Sequence, residues 1–165
     1  MAKTKEQKME IVKKVEEALK GATSVFVHFT GISVTQESAL RRALRGEGLG
    51  YMVAKKTLIG RALNNLGHSG EIDLKGEVAV AYTAGAEDQT AAPRRIHALG
   101  KEIGEGKLTI LGGLFEGKLV DAAMMQQLAT IPGMETLRGM FANVINSPRA
   151  RFAIALSEVA KTKTS

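Results

Sequence analysis

The chain has 165 residues, of which 44% are hydrophobic and 24% charged, a balance that excludes both an intrinsically disordered and a membrane-embedded protein. It contains no cysteine, which excludes disulfides, thiolate metal sites and a cysteine nucleophile. The net charge of +6 is unevenly distributed: residues 1–61 carry +6, residues 62–133 carry −3 and residues 134–165 carry +3. The basic first third indicates a polyanionic partner, because lysine and arginine neutralise phosphates; a merely solvated basic face is the alternative.

The same composition indicates where the protein resides. The absence of cysteine is typical of a reducing compartment. The first residues are charged and lack the apolar stretch of a secretion signal, and no apolar run approaches the roughly 18 residues that cross a membrane. We therefore expect a cytoplasmic protein without membrane contact.

The first elements in chain order are a helix, a strand and a second helix. Apolar residues three and four positions apart predict an amphipathic helix over residues 4–20. The β-branched and aromatic residues of Thr23–Phe29 predict a strand that is buried on both faces. Ser33 and Gln36 have the spacing of a capping box, which predicts a helix that ends at Gly46 or two residues later.

Short strands and helices are predicted to continue through the middle of the chain. A strand over residues 51–54 is followed by a helix over residues 56–67 with a basic start. Another strand covers residues 78–82, and residues 86–103 have a helical pattern that Pro93 is expected to interrupt.

A hairpin is predicted next, with Gly112 and Gly113 as its turn between strands at residues 107–111 and 114–115. From Val120 onward the pattern is wholly helical. The order of elements predicts an α+β fold, in which residues 1–132 form an antiparallel sheet with flanking helices. Residues 133–165 are expected to form a separate helical arm.

Neither the glycines nor the histidines indicate an enzyme. Gly112, Gly117 and Lys118 match the spacing of a phosphate-binding P-loop, but Leu119 stands where a magnesium-binding hydroxyl is needed. The three histidines lie in different elements without nearby carboxylates, which argues against a metal site. We expect no cofactor, no metal and no catalytic residue.

Basic residues of three predicted helices form a candidate nucleic-acid surface. Arg41 and Arg45 stand one helical turn apart and could straddle phosphates, and lysines at a helix start would add charge near its free N–H groups. The candidates are Lys3, Lys5, Lys8, Arg41, Arg42, Arg45, Lys55, Lys56 and Arg61.

The C-terminal arm carries a long apolar stripe. Ser147 and Pro148 suit the N-cap and first position of a helix, so a last helix is predicted to start there after a bend. The stripe either packs on the protein's own domain or docks the helices of another protein. Its members, about 3.67 residues apart on average, are Leu137, Phe141, Val144, Pro148, Phe152, Ala155 and Val159.

Short segments along the whole chain carry a resemblance to a known family. They are residues 9–19, 25–33, 40–45, 53–58, 74–79, 112–113, 128–132 and 135–137. In these segments the chain resembles the bacterial large-subunit ribosomal protein ten family, the ribosomal stalk-base proteins. Residues 53–58, Val-Ala-Lys-Lys-Thr-Leu, are similar to the family's Val-x-Lys-Asn-Thr-Leu, with Lys56 in place of the usual Asn, and Glu77 replaces a usual Pro.

The resemblance implies a structural constituent of the large ribosomal subunit. It implies that the N-terminal domain binds rRNA beside ribosomal protein eleven, and it adds Gly31 to the rRNA-binding candidates. It also implies that the C-terminal helix holds dimers of an acidic stalk protein, which recruit translation GTPases. Because the arm looks shorter than the longest in the family, two dimers rather than three are expected. The implied dimer-binding residues are Arg149, Arg151, Phe152, Ile154, Ala155, Leu156 and Val159.

The sequence leaves two other functions open. A small nucleotide-dependent transferase would bind phosphate at residues 112–118, and ATP-dependent protection of that segment would support it. A free-standing RNA-binding regulator would use the same basic residues on its own message. Selection from a transcript pool would separate the regulator from an rRNA-binding protein.

Overall fold

The computed structural model describes residues 5–21, 23–68, 76–83, 88–104 and 106–164. The chain divides into two compact units, Met1–Ile131 and Pro132–Ser165. The helices of the first unit are α1 Lys5–Leu19, α2 Val34–Gly46, α3 Lys56–Asn65, α4 Ala91–Ile103 and α5 Ala122–Thr130. Its strands are β1 Thr23–Phe29, β2 Leu49–Val53, β3 Val78–Thr83, β4 Leu108–Phe115 and β5 Lys118–Asp121. The second unit contains α6, Met134–Thr164.

The strands form one five-stranded sheet in the order β2-β3-β1-β4-β5, and every neighbouring pair is antiparallel. The central strand β1 pairs with β3 on one side and with β4 on the other. This position explains its content of β-branched and aromatic residues, which pack well on a pleated, buried surface. The predicted α+β fold with an antiparallel sheet is confirmed.

Helices cover both faces of the sheet. Val25 and Val27 pack on one face with buried residues of α2, α4 and α5. Phe26 packs on the opposite face with buried residues of α1 and α3. The division follows from the two-residue period of a strand, which sends successive side chains to opposite faces. The prediction that β1 is buried on both faces is confirmed for this central part.

Helix α2 begins with the predicted capping box. The Ser33 hydroxyl accepts a hydrogen bond from the backbone N–H of Gln36 at 3.3 Å, and the Gln36 side-chain oxygen accepts one from the Ser33 N–H at 3.1 Å. The helix ends at Gly46, and Gly48 then turns the chain with a φ of +71°. Both predicted ends are confirmed.

The predicted turn at Gly112 and Gly113 is wrong. Strand β4 continues through both glycines, and the turn lies at Glu116 and Gly117, whose φ values of +50° and +75° suit a two-residue hairpin. Gly113 is needed for a different reason: a Cβ atom there would lie 2.2 Å from the carbonyl oxygen of Ser24 in β1. Strand β5 was missed because Val120 and Asp121 were assigned to the following helix, and Lys118 and Leu119 to no element.

The predicted interruption at Pro93 is also wrong. Helix α4 begins at Ala91, so Pro93 occupies its first turn, where a backbone N–H would have no partner within the helix. The predicted helix start at residue 86 lies outside the described residues.

Helix α6 continues through Pro148, so the prediction that a new helix starts at Ser147 is wrong. Proline lacks the N–H that would bind the carbonyl of Val144. The Ser147 hydroxyl donates to that carbonyl oxygen at 2.9 Å instead, which satisfies the acceptor and lets the helix continue. No helix within the described ranges is long and apolar enough to cross a membrane.

Candidate functional site

One basic site is a cavity of about 820 Å³ that we call the lysine cavity. Its rim carries Lys8 and Lys14 from α1 and Lys55 and Lys56 from the start of α3, all four of them exposed. Its remaining lining is mostly apolar and consists of Ile11, Phe29, Met52, Val53, Ala54, Leu58, Gly76, Glu77 and Val78.

A second groove adjoins the lysine cavity along α1 and α3. It shares Lys8 and adds Lys13 and Arg61 as further cations. The side-chain amide of Asn65 donates to Glu16 at 2.7 Å, which ties α3 to α1 at the wall of this groove. The sequence prediction missed Lys13 and Lys14, because it grouped basic residues that are near in sequence and could not place α1 beside α3.

A separate arginine patch, Arg41, Arg42 and Arg45, lies on α2 around a cavity of about 310 Å³. Arg41 is engaged within the protein, because its Nη2 donates to Glu37 Oε1 at 2.6 Å. Arg42 and Arg45 are exposed, and neither has an acidic partner among the described residues. These two are therefore the arginines of the patch that are available to an external anion.

Arg41 also lies over the ring of Tyr51, 5.3 Å from its centre. Burial raises the pKa of Tyr51 to about 12, the negative charge of Glu37 adds to the rise, and Arg41 opposes it. The phenol stays neutral at physiological pH, so the guanidinium packs on an uncharged ring. This packing holds Arg41 on the surface of the sheet.

Helices α1 and α3, which carry the lysines of the cavity, pack on one face of the sheet, and α2, which carries the arginine patch, packs on the other, but both sites border the same edge strand. Arg41 covers Tyr51 of β2 on one face, and Met52 and Val53 of β2 line the lysine cavity. Among the described strands β2 is the first in the sheet order and pairs with β3 alone, so its other side forms an edge of the sheet.

The remaining rRNA candidates lie elsewhere or are not described. Gly31 has a φ of +63° in the connection between β1 and α2, with open space where a side chain would be. Lys3 lies outside the described residues, and Lys5 is described only as the first residue of α1.

His28 has a structural role at the end of β1. Its Nδ1 must donate to the carbonyl oxygen of Glu77 at 2.9 Å, since that oxygen only accepts. Its Nε2 then accepts from the hydroxyl of Thr30 at 2.8 Å. Among the described residues no group of His, Asp and Glu could hold a metal ion.

Helix α6 exposes a long row of apolar side chains. Phe141 and Val144 are 68% exposed and Phe152 is 66% exposed. Side chains this exposed do not belong to a hydrophobic core. At about 100° per residue, Ile154 lies roughly 120° around the helix from the centre of the predicted stripe. Of the implied dimer-binding residues, Phe152, Ala155 and Val159 therefore share one side, and Ile154 does not.

Comparison with known proteins identifies the family. The family model described as Ribosomal protein L10 matches residues 3–99, more than half of the chain. The chain belongs to the ribosomal protein L10 family. The large ribosomal subunit protein uL10 of Shouchella clausii is 36% identical over 165 residues, which cover 99% of this chain and 97% of that protein. The uL10 proteins of Lacticaseibacillus casei and Fusobacterium nucleatum are 35% and 33% identical, covering 95% and 94% of this chain and 92% and 94% of theirs.

Membership of the L10 family makes this chain a structural protein of the large ribosomal subunit, located with the ribosome in the cytoplasm. It also means that the chain is not an enzyme. The transferase alternative is wrong on geometry as well, because residues 112–118 lie in the β4–β5 hairpin. A P-loop requires a turn from a strand into a helix.

Proposed function

We propose that this L10-family protein is the base of the ribosomal stalk. Residues 1–132 bind large-subunit rRNA beside ribosomal protein eleven, and residues 133–165 anchor dimers of an acidic stalk protein that recruit translation GTPases. The observation that carries the proposal is the separation of two exposed surfaces of different chemistry: basic clusters on the α+β unit and an apolar row on α6.

Binding of rRNA is supported by the lysine cavity and the arginine patch, which border the same sheet edge. An RNA strand that follows β2 would meet Lys55 and Lys56 on one face, and Arg42 and Arg45 on the other. Lys55 occupies the N-cap position of α3, where its side chain is exposed and has no acidic partner among the described residues, so its ammonium is available for a phosphate. Lys8, Lys14 and Arg61 extend the basic surface along α1 and α3, and Gly31 offers backbone without a side chain.

Anchoring of stalk dimers is supported by the length and exposure of α6. Its 31 residues extend about 46 Å, and its apolar stripe from Leu137 to Val159 about 33 Å. A dimer that docks two helices across α6 would cover about 16–20 Å at the usual interaxial distance. Two dimers would need about 32–40 Å and three about 48–60 Å, so the length of the stripe agrees better with two dimers than with three.

The charge of α6 favours an acidic partner. Arg149 and Arg151 are exposed beside the stripe and have no acidic partner among the described residues. Attraction between opposite charges raises the rate of association and excludes basic competitors. The basic residues of α6 are Arg138, Arg149, Arg151, Lys161 and Lys163, against the acidic residues Glu135 and Glu158.

The proposal is tested by capture from a bacterial cytosolic extract, with bound RNA and bound protein identified together. The baits are the full chain, a chain truncated after Ile131, and two full-length variants, Phe152→Glu on the stripe and Ala153→Glu on the opposite side of α6. We expect every bait to retain large-subunit rRNA. Only the full chain and the Ala153→Glu control should retain a small acidic protein.

Two outcomes would contradict this function. Failure of the full chain to capture rRNA would remove the rRNA assignment. Capture of the acidic protein by the truncated chain, or equally by both glutamate variants, would remove the assignment of the stalk dimers to α6.

A further inference from the structure

The lining of the lysine cavity is more apolar than phosphate binding requires. A phosphate needs only cations and N–H groups at a surface. Below the four lysines, however, the lining includes the buried residues Ala54, Leu58 and Val78 and the half-buried Ile11 and Met52. Apolar surface left open in a folded domain indicates a ligand with an apolar part.

We propose that the lysine cavity holds one unstacked nucleotide of the bound RNA. The base inserts among the apolar residues, and the phosphates on either side of it lie on the lysines of the rim. This inference rests on the proposed rRNA binding and adds how the RNA is recognised: by an extruded base as well as by backbone charge.

The size and the charge of the cavity both suit this occupant. Its volume of about 820 Å³ lies within the roughly 300–1,000 Å³ of sites that enclose small organic groups. Among the described residues of its lining are four lysines and one carboxylate, that of Glu77. The part of the ligand inside the cavity is therefore expected to be apolar, and the part at the lysines is expected to be negatively charged. A nucleotide within an RNA strand has both parts.

The walls of the cavity can also contact a base specifically. Met52 supplies a polarisable thioether, which packs favourably on flat ring systems, and Phe29 adds an aromatic side chain. Met52 and Val53 belong to the edge strand β2, and alternate residues of an edge strand direct their N–H and C=O groups away from the sheet. Such groups can form hydrogen bonds with the edge of an inserted base.

The test combines cavity-filling variants with a base-specific probe. The full chain is first incubated with fragmented large-subunit rRNA, and the shortest fragment that it protects from ribonuclease is isolated. Each unpaired nucleotide of that fragment is then replaced in turn by 2-aminopurine, which fluoresces more strongly when it leaves a stack. Two variants fill the cavity from different elements without changing charge, Ile11→Trp in α1 and Val53→Trp in β2. Met124→Trp, at an exposed position of α5, is the matched control.

We expect wild type and Met124→Trp to raise the fluorescence at one position of the fragment. Ile11→Trp and Val53→Trp should both lose this fluorescence signal and bind the rRNA fragment about tenfold more weakly, since a base held in the cavity contributes that much or more to affinity. Their dependence on salt should not change, because all four lysines are retained. Val53 is 43% exposed, so Val53→Trp decides the test if Ile11→Trp does not fold.

Two results would overturn the inference, and they are distinguishable. If both filled variants bind and unstack the fragment as the control does, no base occupies the cavity, although the protein still binds rRNA. If the wild-type chain protects no rRNA fragment, the proposed rRNA binding fails and this inference fails with it.

Discussion

Replacing Lys55 and Lys56 together by alanine should reduce the salt dependence of RNA binding. Both side chains are exposed on the rim of the lysine cavity and have no acidic partner among the described residues, so each is free to contact a phosphate. Each lost phosphate contact lowers the slope of log affinity against log salt by about 0.7 for single strands and about 0.9 for duplex. Two contacts lower the slope by roughly 1.4–1.8.

This change in slope is large enough to measure by fluorescence anisotropy titration. Between 50 and 200 mM salt, wild type should lose about 7- to 12-fold more affinity for rRNA than the double variant loses. The matched control removes two exposed lysines outside the basic clusters, Lys107 and Lys118. If the slope of the Lys55 and Lys56 variant equals that of the control, the lysine cavity does not neutralise phosphates and the reasoning is refuted.

Three further predictions concern stability. Gly113→Ala places a Cβ atom against the backbone of β1 and should lower the free energy of unfolding by about 1–3 kcal/mol. Gly60→Ala in α3, where a Cβ atom would have no neighbour within 4 Å, should raise the free energy of unfolding by about 1 kcal/mol. Calorimetry that gives both changes the same sign would contradict this. Pro148→Ala restores a backbone N–H to α6 and should slow amide hydrogen exchange in the turns around it, and unchanged exchange would show that the proline does not weaken the helix. The hydrogen bond from Arg94 lowers the pKa of Asp88, so the contribution of this carboxylate is present above about pH 4 and is lost as the pH falls through the lowered folded value. Asp88→Asn should therefore destabilise by about 0.2–1 kcal/mol at neutral pH and by less in acid, and a difference that does not shrink would contradict the assignment.

The elements that could be predicted from the sequence are those with local signals. The capping box of Ser33 and Gln36 lies within four residues, and the alternation along Thr23–Phe29 requires only the two-residue period of a strand. Both predictions depend on physical causes that operate between neighbours in the chain. Distant parts of the fold did not alter them.

The predictions that failed concern residues whose role is set by distant neighbours. Gly112 and Gly113 look like a turn because glycine tolerates positive φ, but Gly113 is required by the backbone of β1, some 90 residues earlier. Pro93 looks like a helix breaker until the helix start is known, because the same proline is tolerated in a first turn. Ser147 and Pro148 look like a helix start, and only the bond from the Ser147 hydroxyl to Val144 shows how α6 continues.

The predicted rRNA-binding residues were also affected by contacts that the sequence does not show. Sequence proximity grouped Arg41, Arg42 and Arg45, but Arg41 is paired with Glu37 and packed on Tyr51. Counting charges along a helix cannot reveal that one of them is already engaged.

In α3 the residues that pack in the core differ from the basic residues at the surface, so RNA affinity and stability can be changed separately. Helix α3 buries Ile59 and Ala62 in the core and presents Lys55 and Lys56 at its N-cap and first position, where the side chains are exposed. Loss of these lysines removes no core contact, whereas truncation of Ile59 would cost about 2–5 kcal/mol through the cavity it leaves. A variant that loses RNA affinity without a lower melting temperature therefore reports on the interface alone. Arg41 differs from these lysines, since its contact with Tyr51 couples the surface charge to the packing of β2.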